Sequence, residues 1–380
     1  MTLTEKKNTG SYYTCHAIAD YIAKWAVDTS DPRILEPSFG DGIFIDSALS
    51  RCAELGNNRP HILGVEVQAE PYDTYMNDHK EITGLHMDFM DYRDENHFSA
   101  IIGNPPYVSL KKLTEADRGK ILQLIHSYGV PMQTSSSLWM PFMIHATELL
   151  QKNGKLGFVL PYELTYVRYA FDLWKYLSNN YGKITVCRIH HDFFPDVDVE
   201  TILFLPEKKG TATDVVCYNV FNTVTDLLDN NAAHRSKISI DEIVHLRKPF
   251  ARELLPKPVR RFLDFLKEEK QLTSFVHDCK FKIGYVSGNN KYFHPAAEDI
   301  QRFEFRTENL RKTLMNAKQL SANTDIGIET KTIALHSNLF YPTIIGEGEK
   351  KYIDYGKAQG IHKGYKCRTR TPWYLTPGLE

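Results

Sequence analysis

The 380-residue chain lacks several features that would place it in other classes of protein. Its six cysteines are scattered without a C-x-x-C pair, which argues against a zinc site and against a disulfide framework. No stretch approaches the roughly 20 apolar residues that cross a bilayer, and the N-terminus has no apolar segment typical of a secretory signal. We therefore expect a cytoplasmic protein without a metal and without a membrane partner.

The chain also lacks a net charge of either sign, since its formal charge is −1. The charges are unevenly distributed: residues 1–205 carry 18 basic and 26 acidic residues, whereas residues 206–380 carry 28 basic and 21 acidic residues. A basic back half indicates polyanion binding by that half. Chance variation between two solvated surfaces would give the same counts.

The first 205 residues alternate short apolar runs with helical patterns, which is typical of a parallel sheet with crossover helices. Helices are predicted at 16–27, 42–54 and 138–151. Strands are predicted at 32–36, 61–66, 84–88, 99–103, 155–160, 185–190 and 200–205. Several strands are apolar at successive positions, which indicates burial on both faces.

The pattern changes after Pro206. Residues 207–260 are charged and interrupted by Asn, Gly and Pro, so we expect connecting structure there. Residues 275–380 contain short runs that predict strands, at 281–288, 331–337 and 350–355. We place a domain boundary near residue 245, with one domain at 1–245 and a second at 246–380.

The strongest local signal is the run Asn104-Pro105-Pro106-Tyr107, which follows the buried strand 99–103. Two prolines remove two N–H donors, so the turn presents oxygen atoms. The Asn104 side chain and the Pro105 carbonyl can each accept a hydrogen from an –NH2 group and stabilise positive charge growing on its nitrogen. Tyr107 offers a flat face for a base. A Pro-Pro strand terminator, with Asn104 capping the turn and Tyr107 in the core, is the alternative interpretation.

Three segments in this order, GSYYTCHAIADYI, ILEPSFGDGIFIDSAL and IIGNPPYV, resemble those of the gamma class of amino-methyltransferases that act on adenine N6 in DNA. The resemblance runs over nearly the whole chain. It implies an α/β fold, the class I (Rossmann-like) sheet of S-adenosylmethionine-dependent methyltransferases, followed by an α+β target-recognition domain. NPPY alone is shared with methylases of RNA and of protein glutamine. The YYT segment and the long C-terminal region are more specific to the DNA enzymes.

The resemblance also implies which residues bind S-adenosylmethionine. Glu36 suits the α-ammonium group, Glu66 suits the ribose hydroxyls, and Asp88 with Phe89 suits the adenine. The other implied cofactor residues are Thr14, Ser38, Gly40 and Gly42. Where the family usually has a proline after Thr14, this chain has Cys15, which departs from the motif but leaves the hydroxyl.

For the DNA, the resemblance implies that Tyr107, Pro106 and Phe194 surround the target base. The C-terminal region interleaves basic and aromatic residues, which suits phosphate contact with stacking, although a solvated edge strand is the alternative. The candidate DNA-binding residues are Asn289, Asn290, Lys363, Lys366, Arg368 and Arg370.

The function implied is methyl transfer from S-adenosylmethionine to an adenine flipped out of double-stranded DNA, with no metal. Two alternatives stay open: an NPPY methylase of RNA or protein glutamine, and a non-catalytic DNA-binding module. The segment before Thr14 leaves no room for a nuclease domain, so a restriction endonuclease, if one is a partner, is expected on a separate chain. Whether the recognition domain is complete also stays open.

Overall fold

The computed structural model describes residues 14–94, 97–190, 200–245, 249–269, 285–313, 315 and 337–377. The chain divides into two compact units, Met1–Phe265 and Leu266–Glu380. Each unit is described by itself. No helix in the described ranges is both long enough and apolar enough to span a membrane.

In its described part, the first unit is built on a nine-stranded sheet with the strand order β3-β2-β1-β4-β5-β7-β6-β8-β9. The strands are β1 Arg33–Glu36, β2 His61–Glu66, β3 Thr83–His86, β4 Phe98–Gly103, β5 Leu150–Pro161, β6 Tyr181–Ile189, β7 Thr201–Lys209, β8 Val215–Phe221 and β9 His234–Ser239.

Strands β1 to β5 are parallel, as the alternating pattern predicts. Strand β7 runs antiparallel to both β5 and β6, and β9 runs antiparallel to β8. The prediction of connecting structure at 207–260 is therefore wrong in part, because β7 reaches Lys209 and β8 and β9 both lie in this segment. The signal in β8 is the period of two, with Val216, Tyr218 and Val220 buried on one face.

Helices cover both faces of the sheet, which explains the continuous apolar runs. The helices that begin in this unit are α1 His16–Ala26, α2 Ile43–Glu54, α3 Ala69–Asp78, α4 Glu115–Ser127, α5 Trp139–Glu148, α6 Arg168–Asn180, α7 Val224–Leu228, α8 Ile240–Val244 and α9 Lys257–Glu268. Ile34 and Ile102 face a core that includes side chains of α1 and α2, whereas Leu35 and Ile101 face a second core that includes side chains of α4, α5 and α6.

The first unit extends past the predicted boundary near residue 245. Phe250 is fully buried, with its ring centroid 5.1 Å from that of Trp174 and 5.4 Å from that of Tyr218. This packing ties the segment after β9 to the core of the first unit, which continues to Phe265.

The second unit has a small aromatic core of its own. Its elements are α10 Asn290–Phe293, α11 Ala297–Arg302, β10 Leu310–Thr313, β11 Ser337–Phe340, α12 Glu347–Ala358 and α13 Tyr365–Arg368. The rings of Tyr292 and Tyr352 stack at 4.6 Å between centroids, and Phe293 and Phe340 pack in the same core. Strands β10 and β11 pair antiparallel.

The predicted strand at 350–355 is wrong, because these residues lie in α12. The buried Glu349 side chain accepts from the backbone N–H of Gly346 at 3.0 Å and so caps the helix. Tyr352, Ile353 and Gly356 are then buried at helical spacing. The candidate run 281–288 is described only from residue 285, and residues 285–288 form no strand. The run 331–337 is described only at Ser337, in β11.

The turn between β1 and α2 requires glycine at position 42. Gly42 has φ +82°, and a Cβ there would lie 2.0 Å from the Tyr75 ring. We expect Gly42→Ala to lower the free energy of unfolding by about 1–3 kcal/mol, because it forces both a strained backbone and overpacking. Urea unfolding measures the change.

The matched control is Gly119→Ala in α4, where a Cβ meets no atom within 4 Å. That variant should gain up to about 1 kcal/mol, because alanine is the better helix former. Equal effects of the two substitutions would contradict the packing described at Gly42.

Candidate active site

A cavity of about 340 Å³ lies in the first unit at the carboxyl ends of β1 to β4. Its volume is within the usual range for small-molecule sites. Because neighbouring parallel strands end at one edge, residues far apart in sequence meet there. The cavity is lined by nine of the predicted site residues: Thr14, Glu36, Ser38, Gly40, Glu66, Asp88, Phe89, Asn104 and Pro106.

Glu36 is the last residue of β1 and is buried at the cavity wall, with only 2% of its surface exposed. Its Oε2 atom is buried and has no hydrogen-bond partner among the described residues. Burial raises the pKa of Glu36 well above its usual value, and the nearby carboxylates of Asp41 and Glu66 raise it further. Such a group is suited to bind a cationic or hydrogen-donating group of a ligand in the cavity.

Glu66, the last residue of β2, is held by the backbone on both oxygens. Oε2 accepts from the N–H of Gly40 at 2.9 Å, and Oε1 accepts from the N–H of Gln68 at 2.8 Å. These two bonds orient the carboxylate, while each oxygen keeps capacity for a further donor. The arrangement suits a ligand with neighbouring hydroxyl groups.

Gly40 and Gly42 have different places in the turn. A Cβ on Gly40 would meet no atom within 4 Å, so the glycine leaves the cavity open beside its backbone. Gly42 lies behind the cavity wall, where its N–H donates to the Phe39 carbonyl at 2.7 Å. Gly40 thus allows close approach of a ligand, and Gly42 shapes the turn.

Asp88 and Phe89 follow β3 and line the same cavity. Asp88 Oδ1 accepts from the N–H of Met90 at 2.9 Å, which orients the carboxylate. The Phe89 ring is buried in the core, 5.0 Å from Phe142 and 4.8 Å from His145 between centroids. Phe89 is therefore a rigid part of the wall.

His145 supports this wall from inside the core. Burial lowers the pKa of His145 to about 4, so its ring is neutral at physiological pH. Nε2 lies 3.0 Å from the Tyr92 carbonyl oxygen and Nδ1 lies 2.9 Å from the Tyr128 hydroxyl. Hence Nε2–H donates to the carbonyl, and Nδ1 accepts from the hydroxyl.

Asn104 follows β4 and lies between two hydroxyl residues. Its Nδ2 donates to Thr14 Oγ1, and the Ser38 hydroxyl donates to the Asn104 backbone carbonyl, both at 3.4 Å. Because the amide –NH2 of Asn104 is directed toward Thr14, its side-chain oxygen is the atom that can accept a hydrogen bond from a ligand. The structure thus adds a contact with Asn104 to the predicted cofactor role of Thr14.

The other residues of the NPPY turn differ in their relation to the cavity. Pro106 lines the cavity, whereas Pro105 is buried and Tyr107 packs against the core beyond the wall. The Tyr107 hydroxyl donates to the Val159 carbonyl at 3.1 Å, which holds the half-buried ring in place. Phe194 lies outside the described residues.

Sequence reasoning missed the apolar side of the cavity, which consists of Val108, Leu113, Leu138 and Phe142. These side chains come from the loop after β4 and from the start of α5. In the sequence they are indistinguishable from ordinary core residues. Only their position opposite the strand ends makes them a surface for a flat, apolar ring.

The candidate residues of the second unit include some with structural contacts. Asn289 Oδ1 accepts from the N–H of Tyr292 at 3.0 Å and caps α10. Asn290 Oδ1 accepts from the Ser287 hydroxyl. Arg370 donates through Nη1 to the Ser287 carbonyl at 2.9 Å. These contacts stabilise the turn at 286–290, which is a structural role.

Lys363, Lys366 and Arg368 are exposed instead. The Lys366 ammonium and the Arg368 guanidinium each lie 5.5 Å from the centroid of the Tyr365 ring, which is also exposed. The segment forms a short 3₁₀ turn and α13, so the alternative interpretation as an edge strand is wrong. A basic and aromatic surface suits contact with phosphates.

Comparison with protein families gives two matches. Residues 51–194 match the Eco57I restriction-modification methylase family, and residues 247–380 match the C-terminal domain of the type II methyltransferase M.Eco57I.

Two relatives are similar over most of the chain. Type II methyltransferase M.AccI of Acinetobacter calcoaceticus is 24% identical over 98% of this chain and 70% of its own length. M.BstVI of Geobacillus stearothermophilus is 25% identical over 77% of this chain and 61% of its own length. The chain thus spans about two thirds of the length of these curated relatives.

Two solved structures share the fold. The type IIG restriction endonuclease BpuSI aligns over 96% of this chain and 47% of its own, with a TM-score of 0.53 and 16% identity. A type I restriction-modification methyltransferase subunit of Streptococcus thermophilus aligns over 62% of this chain and 57% of its own, with a TM-score of 0.50 and 16% identity. The predicted fold class, that of class I S-adenosylmethionine-dependent methyltransferases, is confirmed.

The buried Glu36 predicts a stability that depends on pH. Its pKa in the folded state is raised above the ordinary value of 4.5, so the folded protein retains a proton that the unfolded chain loses. The wild type therefore loses stability as pH rises from about 4.5 through the folded-state pKa. Glu36→Gln removes this loss, so at pH 8 the free energy of unfolding of the variant should exceed that of the wild type by roughly 1–3 kcal/mol. At pH 5 this difference should be smaller.

Denaturant unfolding of both proteins at pH 5 and pH 8, without ligand, measures this difference. The control is Glu70→Gln, which changes an exposed glutamate in α3 and should leave the pH dependence as it is. A Glu36→Gln variant that is less stable than the wild type at pH 8 would refute the inference that folding raises the pKa of Glu36.

Proposed function

We propose that this chain, which belongs to the Eco57I family of restriction-modification methyltransferases, transfers a methyl group from S-adenosylmethionine to the N6 amino group of adenine in DNA. The observation that carries the proposal is the position of Asn104. It lines the same cavity as Glu36, Glu66 and Asp88.

The groups that line the cavity fit the chemistry of S-adenosylmethionine. Glu36 would bind the α-ammonium group through its buried Oε2, which has no partner among the described residues. Glu66 would accept from the ribose hydroxyls, and Asp88 would accept from the adenine amino group. The adenine ring would lie between Phe89 and the apolar side chains of the opposite wall. When bound, the sulfonium supplies a methyl group that is already activated for transfer.

The chain's own contribution to the reaction is to hold the amine. The Asn104 side-chain oxygen and the Pro105 carbonyl accept the two N6 hydrogens, which turns the nitrogen lone pair toward the methyl group. The same two acceptors stabilise the positive charge that grows on the nitrogen. Because the amine proton becomes acidic only after alkylation, no strong base is required beside it.

The target adenine must leave the duplex to reach this cavity. Tyr107 would stack on the flipped base, and its hydroxyl bond to the Val159 carbonyl would hold the ring in place. Stacking of this kind contributes about 1–3 kcal/mol per base. Phe194, outside the described residues, remains the predicted second face of the pocket.

DNA is the favoured substrate for two reasons. The relatives M.AccI and M.BstVI are named as type II methyltransferases, and the second unit presents Lys366 and Arg368 around the exposed ring of Tyr365. Duplex DNA would contact this surface. A separate restriction endonuclease remains a predicted partner.

The proposal is tested by incubating the protein with labelled S-adenosylmethionine and duplex DNA of mixed sequence, followed by mass spectrometry of the nucleosides. We expect N6-methyldeoxyadenosine. Parallel reactions contain tRNA, ribosomal RNA and a protein with accessible glutamine. A label found only in RNA or protein would replace the proposal with the alternative methylase. Cofactor binding without transfer to any of the four substrates would contradict it.

In the same assay, Asn104→Ala should lower the rate of transfer on the order of 10²–10³-fold, because one of the two charge-stabilising acceptors is lost. Cofactor affinity, measured by calorimetry, should stay close to that of the wild type. The control Asn77→Ala removes an exposed amide from α3 and should retain full activity. Near-normal turnover by Asn104→Ala would show that the catalytic group lies elsewhere.

The hydrogen bond between Asn104 and Thr14 predicts a positioning role for Thr14. Thr14→Val keeps the shape but loses the hydroxyl, and should lower kcat on the order of tenfold through the loss of one hydrogen bond. Thr14→Ser should restore most of the rate. If Thr14→Val instead weakens cofactor binding and leaves kcat unchanged, the hydroxyl contacts only the cofactor.

A further inference from the structure

A second, larger cavity of about 1030 Å³ lies in the first unit and shares no lining residue with the first. Its floor is the sheet face formed by β7, β6, β8 and β9. The strand register places Leu205, Thr185, Cys217 and Lys237 in one row across these four strands. The row spans three strand spacings, about 14 Å.

The next row along the same face is formed by Leu203, Cys187, Asn219 and Arg235. Side chains two residues apart on a strand point to the same face, so the two rows lie side by side. Both rows change in the same order, from leucine on β7, through small or polar groups on β6 and β8, to a cation on β9. The floor therefore has an apolar end and a cationic end.

Aromatic side chains stand over the apolar end. Tyr21 and Trp25 both line the cavity, and they are four residues apart on α1, so they share one helix face. Both pack against the same core as Leu203 and Leu205. They are aromatic residues of the lining, and aromatic rings are groups on which a nucleobase stacks.

The cationic end has more positive than negative charge. Lys257 and Arg260 also line the cavity, whereas Glu253 is the one acid among the lining residues that the structure describes. Lys183 lines the cavity from β6, where it is paired with Glu207 of β7. Glu253 already forms an ion pair with Arg260. The excess of cations favours a ligand with several negative charges.

We propose that this second cavity binds a nucleoside phosphate, with its base against Tyr21 and Trp25 and its phosphates near Arg235 and Lys237. The same chemistry is presented by a free nucleotide and by a nucleotide unit of single-stranded DNA. Thr185 and Asn219, between the two ends, supply hydrogen-bonding groups for the sugar or the base edge. The inference does not depend on the proposed methylation, because the two cavities have separate walls.

Cys217 lies in the floor beside Lys237 and offers a probe inside the cavity. We would saturate the protein with S-adenosylhomocysteine to occupy the first cavity, add ATP, and follow alkylation of Cys217 by peptide mass spectrometry. ATP should slow alkylation of Cys217 at least fivefold and leave the exposed Cys15 unaffected. Adenosine lacks the phosphates and inorganic pyrophosphate lacks the base, so each should protect Cys217 far less than ATP does.

A short single-stranded oligonucleotide and a DNA duplex distinguish the sources of the nucleotide. Protection by the oligonucleotide but not by ATP would support the site as a contact for single-stranded DNA. Equal protection by pyrophosphate and ATP would overturn the proposal, because the aromatic side chains would then contribute nothing. Protection by none of these probes would also overturn it.

Charge reversal tests the cationic end. Lys237→Glu should weaken ATP binding, measured by calorimetry, at least tenfold. Lys175→Glu is the matched control, because Lys175 is equally exposed but lies on α6, which packs on the opposite face of the sheet. If the two variants weaken ATP binding equally, the binding is due to general electrostatic attraction, and the proposed site is wrong.

Discussion

The candidate active site depends on two carboxyl groups that are buried at the ends of neighbouring strands. The free-energy cost of burying the Glu66 carboxylate is offset by two backbone N–H groups that donate to it. Glu36 is not fully compensated: burial raises its pKa, and the nearby carboxylates of Asp41 and Glu66 raise it further. A buried acid in this state costs stability, and such a cost is typical of a group retained for binding. The core on both faces of the sheet supplies the stability that tolerates it.

The proposed reaction requires that an amide at the end of a third strand face this acidic cavity. The topology meets this requirement, because β1 lies between β2 and β4, so that Glu66, Glu36 and Asn104 follow one another along a single edge. Thr14 and Ser38 hold Asn104 from both sides. Tyr107 is anchored separately, by its bond to Val159. The predicted cofactor residues and the predicted amine-binding residues are thus positioned by different contacts within one sheet.

The errors of the sequence-based prediction have local physical causes. Strands β8 and β9 were hidden by the charged residues around them, because β9 is an edge strand and carries lysine and arginine on one face. The segment 350–355 has aromatic residues that favour a strand, but the capping Glu349 and the stack of Tyr352 on Tyr292 stabilise a helix. In both places tertiary packing overrides local preference.

The sequence by itself determined the parallel strands β1 to β5 and the NPPY turn, because buried strands and tight turns have strong local patterns. The class of methyltransferase fold and the choice of Glu36, Glu66 and Asp88 as site residues follow from the resemblance of its segments to a known family. Only the tertiary structure decided which apolar side chains line the cavity, that Thr14 contacts Asn104, and that Arg370 supports a turn. These facts depend on which residues meet across the fold, and a side chain that packs in the core has the same local pattern as one that lines a ligand site.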